Sequence, residues 1–250
     1  MIRLCAVVLL CLGVPAMAQA ETCRNTSFEG AAYITCSFDP AKQDLRLFWR
    51  GTDERPYLTF SALARDLKSK GKSLQFAMNG GMYQDDFQPV GLYVENGREL
   101  TRANTTTLIG APSAIPNFFK KPNGVFYIGN GAAGILETGR FLTERPDANF
   151  ATQSGPMLII DGAIHPAFIV NSTDRKIRNG VGVSPTEVHF VITKNRVSFY
   201  DFARFFRDGL GCRNALFLDG GVAPGLYAPE LGRNDAPGHG GYGPIIAVVD

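Results

Sequence analysis

Asp219 closes an apolar run and opens onto two glycines in the stretch ALFLDGGVAPGLY, Ala215 to Tyr227. Leu216, Phe217 and Leu218 favour burial, whereas a carboxylate ending such a run needs a partner or a cleft. Gly220 and Gly221 give up side-chain contacts and add backbone entropy, so their place is geometric. An acid held at the tip of a buried strand is suited to activating water or to supporting a developing cation.

Three other clusters repeat this pattern of polar groups and glycines at the end of an apolar strand. They are AMNGGMY (Ala77–Tyr83), KPNGVFYI (Lys121–Ile128) and ATQSGPMLI (Ala151–Ile159). A fifth cluster, RKIRNGVGV (Arg175–Val183), adds two cations before a strand. Singly, each could be a turn, because Asn-Gly and Asp-Gly are turn dipeptides. Together they describe a site. Strand ends would hold Asn79, Asn123, Gln153, Ser154, Arg178 and Asp219 rigidly, and the glycines would let a ligand approach the backbone.

Other chemistry-bearing signals are weaker. GNGAAG (Gly129–Gly134) matches the dinucleotide fingerprint, but ILETGRF follows it, so a glycine-rich hairpin is the better reading. His165, His189 and His239 lie far apart with no metal-ligand spacing, and read as surface or structural residues. Cys23 and Cys36 could close a short loop in an oxidising compartment, leaving Cys212 as a buried thiol or an alternative partner. A nucleophilic Cys212 would need a base, and no histidine neighbours it in sequence.

The elements that must position these residues are mostly strands. AAYITCSF and LRLFWR alternate like the arms of a hairpin about DPAKQD. TFSALARDLKSKGK reads as a helix capped by Ser61 and stopped at Gly71, and SLQFAMN as a buried strand ending at Asn79. Asn96-Gly97 fits a type I′ turn, and Asp161-Gly162 a second tight turn. GVFYIG, GILET, PMLIIDGAIH, NALFLDGG and PIIAVVD add strands, and a helix runs from about Ser198 to Arg207, ending at Gly209.

A chain of 250 residues, 45% of them hydrophobic, supports one sizeable core. The 28 glycines and 15 prolines favour many turns over long helices. The expectation is a single α+β domain with a large, mainly antiparallel or mixed sheet and few helices. A net charge of +2 with no basic stripe gives no signal for nucleic acid. Residues 1–20 read as a signal peptide: Arg3 precedes the apolar run Leu4 to Val14, Pro15 breaks it, and cleavage falls after Ala20. That places residues 21–250 in the periplasm or outside the cell, with no membrane span after cleavage. The oligomeric state is not legible.

The clusters, in this order from about Gln75 to Val249, resemble the phosphodiester glycosidase domain family, relatives of N-acetylglucosamine-1-phosphodiester α-N-acetylglucosaminidase. Its bacterial exported branch is the nearer match, through KPNGVFYIGNGAAGILET, ATQSGPML and RNGVGV. The resemblance implies hydrolysis of the bond between a sugar C1 and a phosphodiester oxygen, giving free sugar and a phosphomonoester.

Sugar hydrolysis generally takes two carboxyl groups. A departing phosphomonoester, with a second pKa of about 6, can instead leave as an anion. Asp219 would then activate water or support the oxocarbenium ion, and Arg178 would clamp the phosphate. Arg175 either assists or is a solvated turn residue. Asn79, Asn123, Gln153 and Ser154 would bond sugar hydroxyls or phosphate oxygens, Gly155 would give close access, and Gly80, Gly81, Gly220 and Gly221 could turn backbone N–H groups to an anion. Glu137 and Asp85 are candidates for a second carboxylate, Tyr83 could stack on a sugar, and Met82 packs. No cofactor is required, and a divalent cation near Asp219 is conceivable without a readable ligand set.

One departure matters. Many members carry serine or threonine soon after Asp-Gly-Gly, where this chain has Val222-Ala223-Pro224. A different substrate, a weaker enzyme, or a non-catalytic protein of the envelope that binds glycan or sugar phosphate would each account for it.

Overall fold

The computed structural model describes residues 22–111 and 113–250. The signal peptide read at residues 1–20 lies outside them. Strands β1 (Cys23–Phe28), β2 (Ala31–Phe38) and β3 (Asp44–Phe48) lead into helix α1 (Phe60–Ser69) and strand β4 (Leu74–Asn79). Two strand pairs follow, β5 (Tyr93–Glu95) with β6 (Arg98–Thr101) and β7 (Gly124–Gly129) with β8 (Ala132–Glu137), and then helix α2 (Thr138–Glu144). Next come β9 (Phe150–Ser154), β10 (Met157–Ile160), β11 (Ala163–Ile164), β12 (Arg178–Val183) and β13 (Val188–Thr193). Helix α3 (Phe199–Arg204) runs into a π-helical turn at Phe205–Gly209. The chain continues through β14 (Asn214–Gly220), β15 (Leu226–Ala228), β16 (Arg233–Asn234) and β17 (Ile245–Val249).

The fold is α+β with few helices, and its strands are divided among three sheets. Their orders are β1-β2-β13-β12-β14-β10-β11, β16-β15-β4-β17-β3 and β6-β5-β9-β7-β8. Every pairing is antiparallel. Because side chains alternate across a strand, each sheet has two faces to cover. One face of each contributes to a common core, which holds Phe190 and Leu216 of the first sheet, Phe76 and Ile246 of the second, and Phe126 of the third. Phe190 is its hub, with ring centroids 5.1 Å from Phe76, 5.8 Å from Phe126 and 6.1 Å from Phe38.

A helix covers the other face of each sheet. α1 buries Phe60, Leu63 and Leu67 against Ala77, Ile245 and Ala247. α2 lays Phe141 on Val94, Val125 and Ala151. α3 and its π turn pack Phe202, Phe205 and Phe206 on Tyr33, Ala215 and Phe217. Gly180 and Gly182 admit that last helix. A Cβ on Gly182 would lie 2.5 Å from Phe206 Cδ1 and 2.6 Å from Cys212 Sγ.

Several local expectations meet their structure directly. Asn96-Gly97, Asn130-Gly131 and Asp161-Gly162 all have positive φ and close tight turns, so GNGAAG is a hairpin. Others need correction. β2 and β3 do not form a hairpin, because β2 lies between β1 and β13 while β3 pairs with β17 in another sheet. The first hairpin is β1–β2, turned by Glu29 and Gly30 and crossed by the Cys23–Cys36 disulfide. Thr59, not Ser61, caps α1, its hydroxyl accepting from Ala62 N. α2 forms despite Gly139, because the Glu137 carboxylate caps it.

Gly182→Ala should lower the urea midpoint by the equivalent of about 1–3 kcal/mol with an unchanged m-value, because packed side chains must move. Gly238→Ala, where a Cβ meets open space, should leave the midpoint in place.

Candidate active site

The clusters come together at one rim of the structure, where β4, β9 and β14 end and β7 and β12 begin. Gly124 of β7 faces Ser154 of β9 in register, and Asn179 and Arg178 of β12 face Asp219 and Gly220 of β14. Asn79 ends β4 opposite Ile245.

At the centre is a chain of buried amides. Asn79 is fully enclosed, and its Oδ1 accepts from Asn179 Nδ2 (2.7 Å) and Gly225 N (2.9 Å). Asn179 Oδ1 in turn accepts from Asp219 N at 2.9 Å. Asp219 Oδ1 accepts from Gly220 N at 2.7 Å. This fixes the carboxylate at the edge of a cavity of about 380 Å³ lined also by Tyr83, Gln84, Asp85, Phe87, Ala223 and His239.

Burial pushes the Asp219 carboxyl up to about 6, partly offset by the Gly220 N–H. The group keeps some contact with solvent yet is mostly surrounded by protein, and it has no cationic neighbour to hold it ionised. Across the cavity, Tyr83 Oη lies 2.5 Å from His239 Nε2 and donates to Gly241 O at 3.2 Å. Burial raises the Tyr83 pKa, and the charge of Asp219 raises it further, which sets the phenol within electrostatic reach of the acid. Two polar atoms here have no protein partner: Asn79 Nδ2 and His239 Nδ1 are both buried and unbonded. Buried polar atoms of this kind are rare, and each calls for an explanation.

The other predicted site residues occupy different roles. Gln153 is spent internally. Its Oε1 accepts from Leu92 N and Asn104 N, and its Nε2 donates to Asn104 O and Thr138 Oγ1. Asn123 donates to Phe118 O and accepts from Lys121 Nζ and Thr138 Oγ1. Ser154 donates to Leu218 O at 2.9 Å. The four glycine N–H groups are also taken: Gly80 by Pro244 O, Gly81 by Thr152 Oγ1, Gly220 by Asp219 and Gly221 by Ile177 O. They offer no free cradle for an anion. Gly155 and Gly81 are needed for packing, since a Cβ would lie 2.6 Å from Asn123 Cβ and 2.3 Å from Gln153 O respectively. Met82 packs beside the α3 cluster, Asp85 lines the cavity, and Glu137 caps α2.

Arg178 and Asp219 do not meet. Strand alternation turns Asn179 toward Asn79 and Arg178 toward α3. The guanidinium is 1% exposed and lies 3.7 Å over Phe199. Its Nε donates to Val197 O, and Asp174 Oδ2 is no nearer than 3.8 Å. Burial lowers its pKa to about 10, and neither Asp219 nor Arg178 influences the other's titration. Arg178 shares the Phe199 ring with Lys120, whose ammonium is 5.8 Å away. Arg175 is committed to Asp201 at 2.8 Å.

His239 and Asn179 are the residues that sequence reasoning passed over. His239 sits in GHGGYG, a glycine-rich cluster of the same kind as the others, and Asn179 adjoins Arg178. His165 and His189 are structural: His165 bonds Lys121 O, and His189 bonds Ser37 and Ser184. Cys212 is buried and its thiol pushed up to about 12, which removes the thiolate a nucleophile needs. Among the described residues no three His, Cys, Asp or Glu side chains group as a metal site.

The profile of the phosphodiester glycosidase family matches residues 72–246. The uncharacterized protein YigE of Escherichia coli (strain K12) is 36% identical over 186 residues, covering 74% of this chain and 70% of that protein. Among solved structures, the catalytic domain of zebrafish N-acetylglucosamine-1-phosphodiester alpha-N-acetylglucosaminidase, auto-inhibited by its pro-peptide, superposes with a TM-score of 0.60 at 14% identity. That match covers 90% of this chain and 81% of the zebrafish one. A hypothetical protein from Synechocystis gives 0.56 at 16% identity, covering 91% of this chain and 61% of the other.

The acid's environment sets a linkage with a definite sign. Its folded pKa of about 6 exceeds the ordinary 3.8, so the fold favours the protonated form and loses stability as pH rises between those values. Asp219→Asn keeps an acceptor for Gly220 N–H but cannot ionise. It should be more stable than the parent above pH 6, by at most about 3 kcal/mol, with the difference gone near pH 3.5. Thermal melts across pH 3.5–8 check this; equal melting temperatures at pH 8 would contradict it.

Proposed function

Because the chain belongs to the phosphodiester glycosidase family, we propose that it hydrolyses sugar-1-phosphodiesters, with Asp219 as the catalytic carboxylate. The observation that carries this reading is the desolvated acid at the cavity edge, held by a buried amide chain and facing a Tyr–His pair. Near pH 7 its pKa leaves it ionised in about nine copies of ten, yet basic enough to take a proton from water.

Water attacks C1 while the bond from C1 to the phosphate oxygen breaks, and its electron pair leaves on the phosphomonoester. One water proton passes to Asp219. The leaving group needs no acid, since it departs as an anion with a second pKa of about 6. Asn79 Nδ2 and His239 Nδ1, the unbonded polar atoms, suit sugar hydroxyls, and His239 with Tyr83 carries the proton from Asp219 toward solvent. Arg178 and Lys120 are two desolvated cations on the Phe199 ring, which suits an anion at the α3 side of the rim, where Asp174 is the carboxylate nearest Arg178 at 3.8 Å.

A second reading is a protein that binds sugar phosphate without turnover. It is favoured by Val222-Ala223-Pro224 in place of hydroxyls, with Ala223 on the cavity wall and Val222 78% exposed.

Export through a cleaved signal after Ala20 completes the proposal. Among the described residues no helix is long and apolar enough to cross a membrane.

Incubation with a panel of UDP-sugars and synthetic sugar-1-phosphodiesters should release free sugar. Asp219→Asn should cut kcat by 10³-fold or more while staying folded. His239→Ala should cost 10–10²-fold, and kcat should fall on the acid side with an apparent pKa near 6. Full turnover in Asp219→Asn would remove the assignment, and tight binding without turnover in the parent would select the second reading.

A further inference from the structure

A larger cavity, of about 700 Å³, opens beside the candidate active site. Its walls are the segment after β3, the end of α1 and the β5–β6 hairpin. Its floor is Trp49, the sole tryptophan of the chain. The Arg50 guanidinium lies over that indole, its Cζ 3.7 Å from the ring centroid. Arg50 is thereby positioned by stacking rather than by ion pairing: its nearest carboxylate, Glu54, is 3.9 Å away, and its Nε is buried with no hydrogen-bond partner.

The charge on the walls is unbalanced. Arg46, Arg50, Lys70, Lys72 and Arg98 face two acids, Glu54 and Glu95. Arg46 and Lys70 are neutralised by Asp44 and Asp66. Arg98 makes no ion pair among the described residues, and Lys72 stands 4.0 Å from Asp44. Burial raises the pKa of Glu95, and its carboxylate is engaged by the Tyr93 hydroxyl, which donates to it at 2.6 Å. What remains is a pre-oriented guanidinium with two further cations in a concave, aromatic-floored cleft. That combination suits repeated anionic groups on a flexible polyol or sugar chain.

The cleft adjoins the Asp219 cavity. Trp49 Nε1 donates to Phe87 O at 2.9 Å, Phe87 lines the Asp219 cavity, and Gln88 lines the cleft. We propose that the Trp49–Arg50 cleft is a second binding site, for a phosphodiester-repeat polymer whose terminal sugar occupies the Asp219 cavity. The identity of the polymer rests on the hydrolase reading above; the binding of a polyanion does not.

The test titrates the parent with synthetic oligo(glycerol phosphate) of about ten repeats, following Trp49 emission and anisotropy of a labelled oligomer. Neutral dextran, an alginate oligomer and single-stranded DNA serve as separate arms. The expected result is a saturable emission change with the phosphate oligomer, weakened at least tenfold in Arg50→Gln and in Arg98→Ala. The second change is on an exposed hairpin and keeps the fold intact. On an oligomeric substrate both variants should raise KM severalfold with kcat unchanged, and neither should alter kcat/KM on a single-repeat sugar-1-phosphodiester. Affinity within twofold of the parent in both variants would overturn the site. So would equal or tighter binding of dextran, alginate or DNA. Arginine-dependent oligomer binding in a protein that turns over nothing would support the cleft while removing the hydrolase reading.

Discussion

The buried amide of Asn79 is the constraint on which the site depends. It lies on the second sheet, and its oxygen is shared by Asn179 on the first sheet and by the backbone of Gly225. Removing that oxygen would leave two enclosed donors unsatisfied, at about 1–3 kcal/mol each. The same interaction aligns β4 with the β12–β14 pair, and through Asn179 it holds the backbone of Asp219. Position and electrostatics therefore have one origin. The enclosure that requires the amides to pair is also what keeps water from stabilising the carboxylate.

The hydrogen-bond capacity of the rim is mostly spent on itself. Gln153 uses its oxygen and both amide hydrogens to tie Leu92, Asn104 and Thr138 together, and the glycine N–H groups close on neighbouring backbone and side-chain oxygens. This is a division of labour. A dense, saturated scaffold surrounds a few groups with bonding capacity left over, chiefly Asp219 at the cavity edge, the enclosed Asn79 Nδ2 and the Tyr83–His239 pair. Saturation restricts motion at the strand ends, which is the condition for a reactive group to be held in one orientation.

Much of this was legible in the chain. Alternation located β2, apolar runs located β4, β7, β10, β14 and β17, and Asn96-Gly97 and Asp161-Gly162 located two turns. The segregation into three sheets was not legible, because β3 pairs with β17 some 200 residues later and local pattern carries no partner information. The same gap explains the site. Residue type marks Gln153, Asn123 and the paired glycines as able to bind a ligand, but only the fold shows that their donors are already engaged. Arg178 and Asn179 are adjacent in sequence, and pleating alone sends one to the α3 face and the other to the amide chain. His239 was dismissed because the histidines were weighed as metal ligands, whereas its partner is a phenol 156 positions away.

The placement of β17 has a kinetic consequence. It is not an edge strand but the bridge between β4 and β3, so the second sheet cannot close before residues 245–249 arrive. Until then β3 and β4 expose unpaired edges and the apolar surfaces that later meet α1, a state open to aggregation. Completion of the second sheet is thus postponed until β17 has been made, long after both of its neighbours.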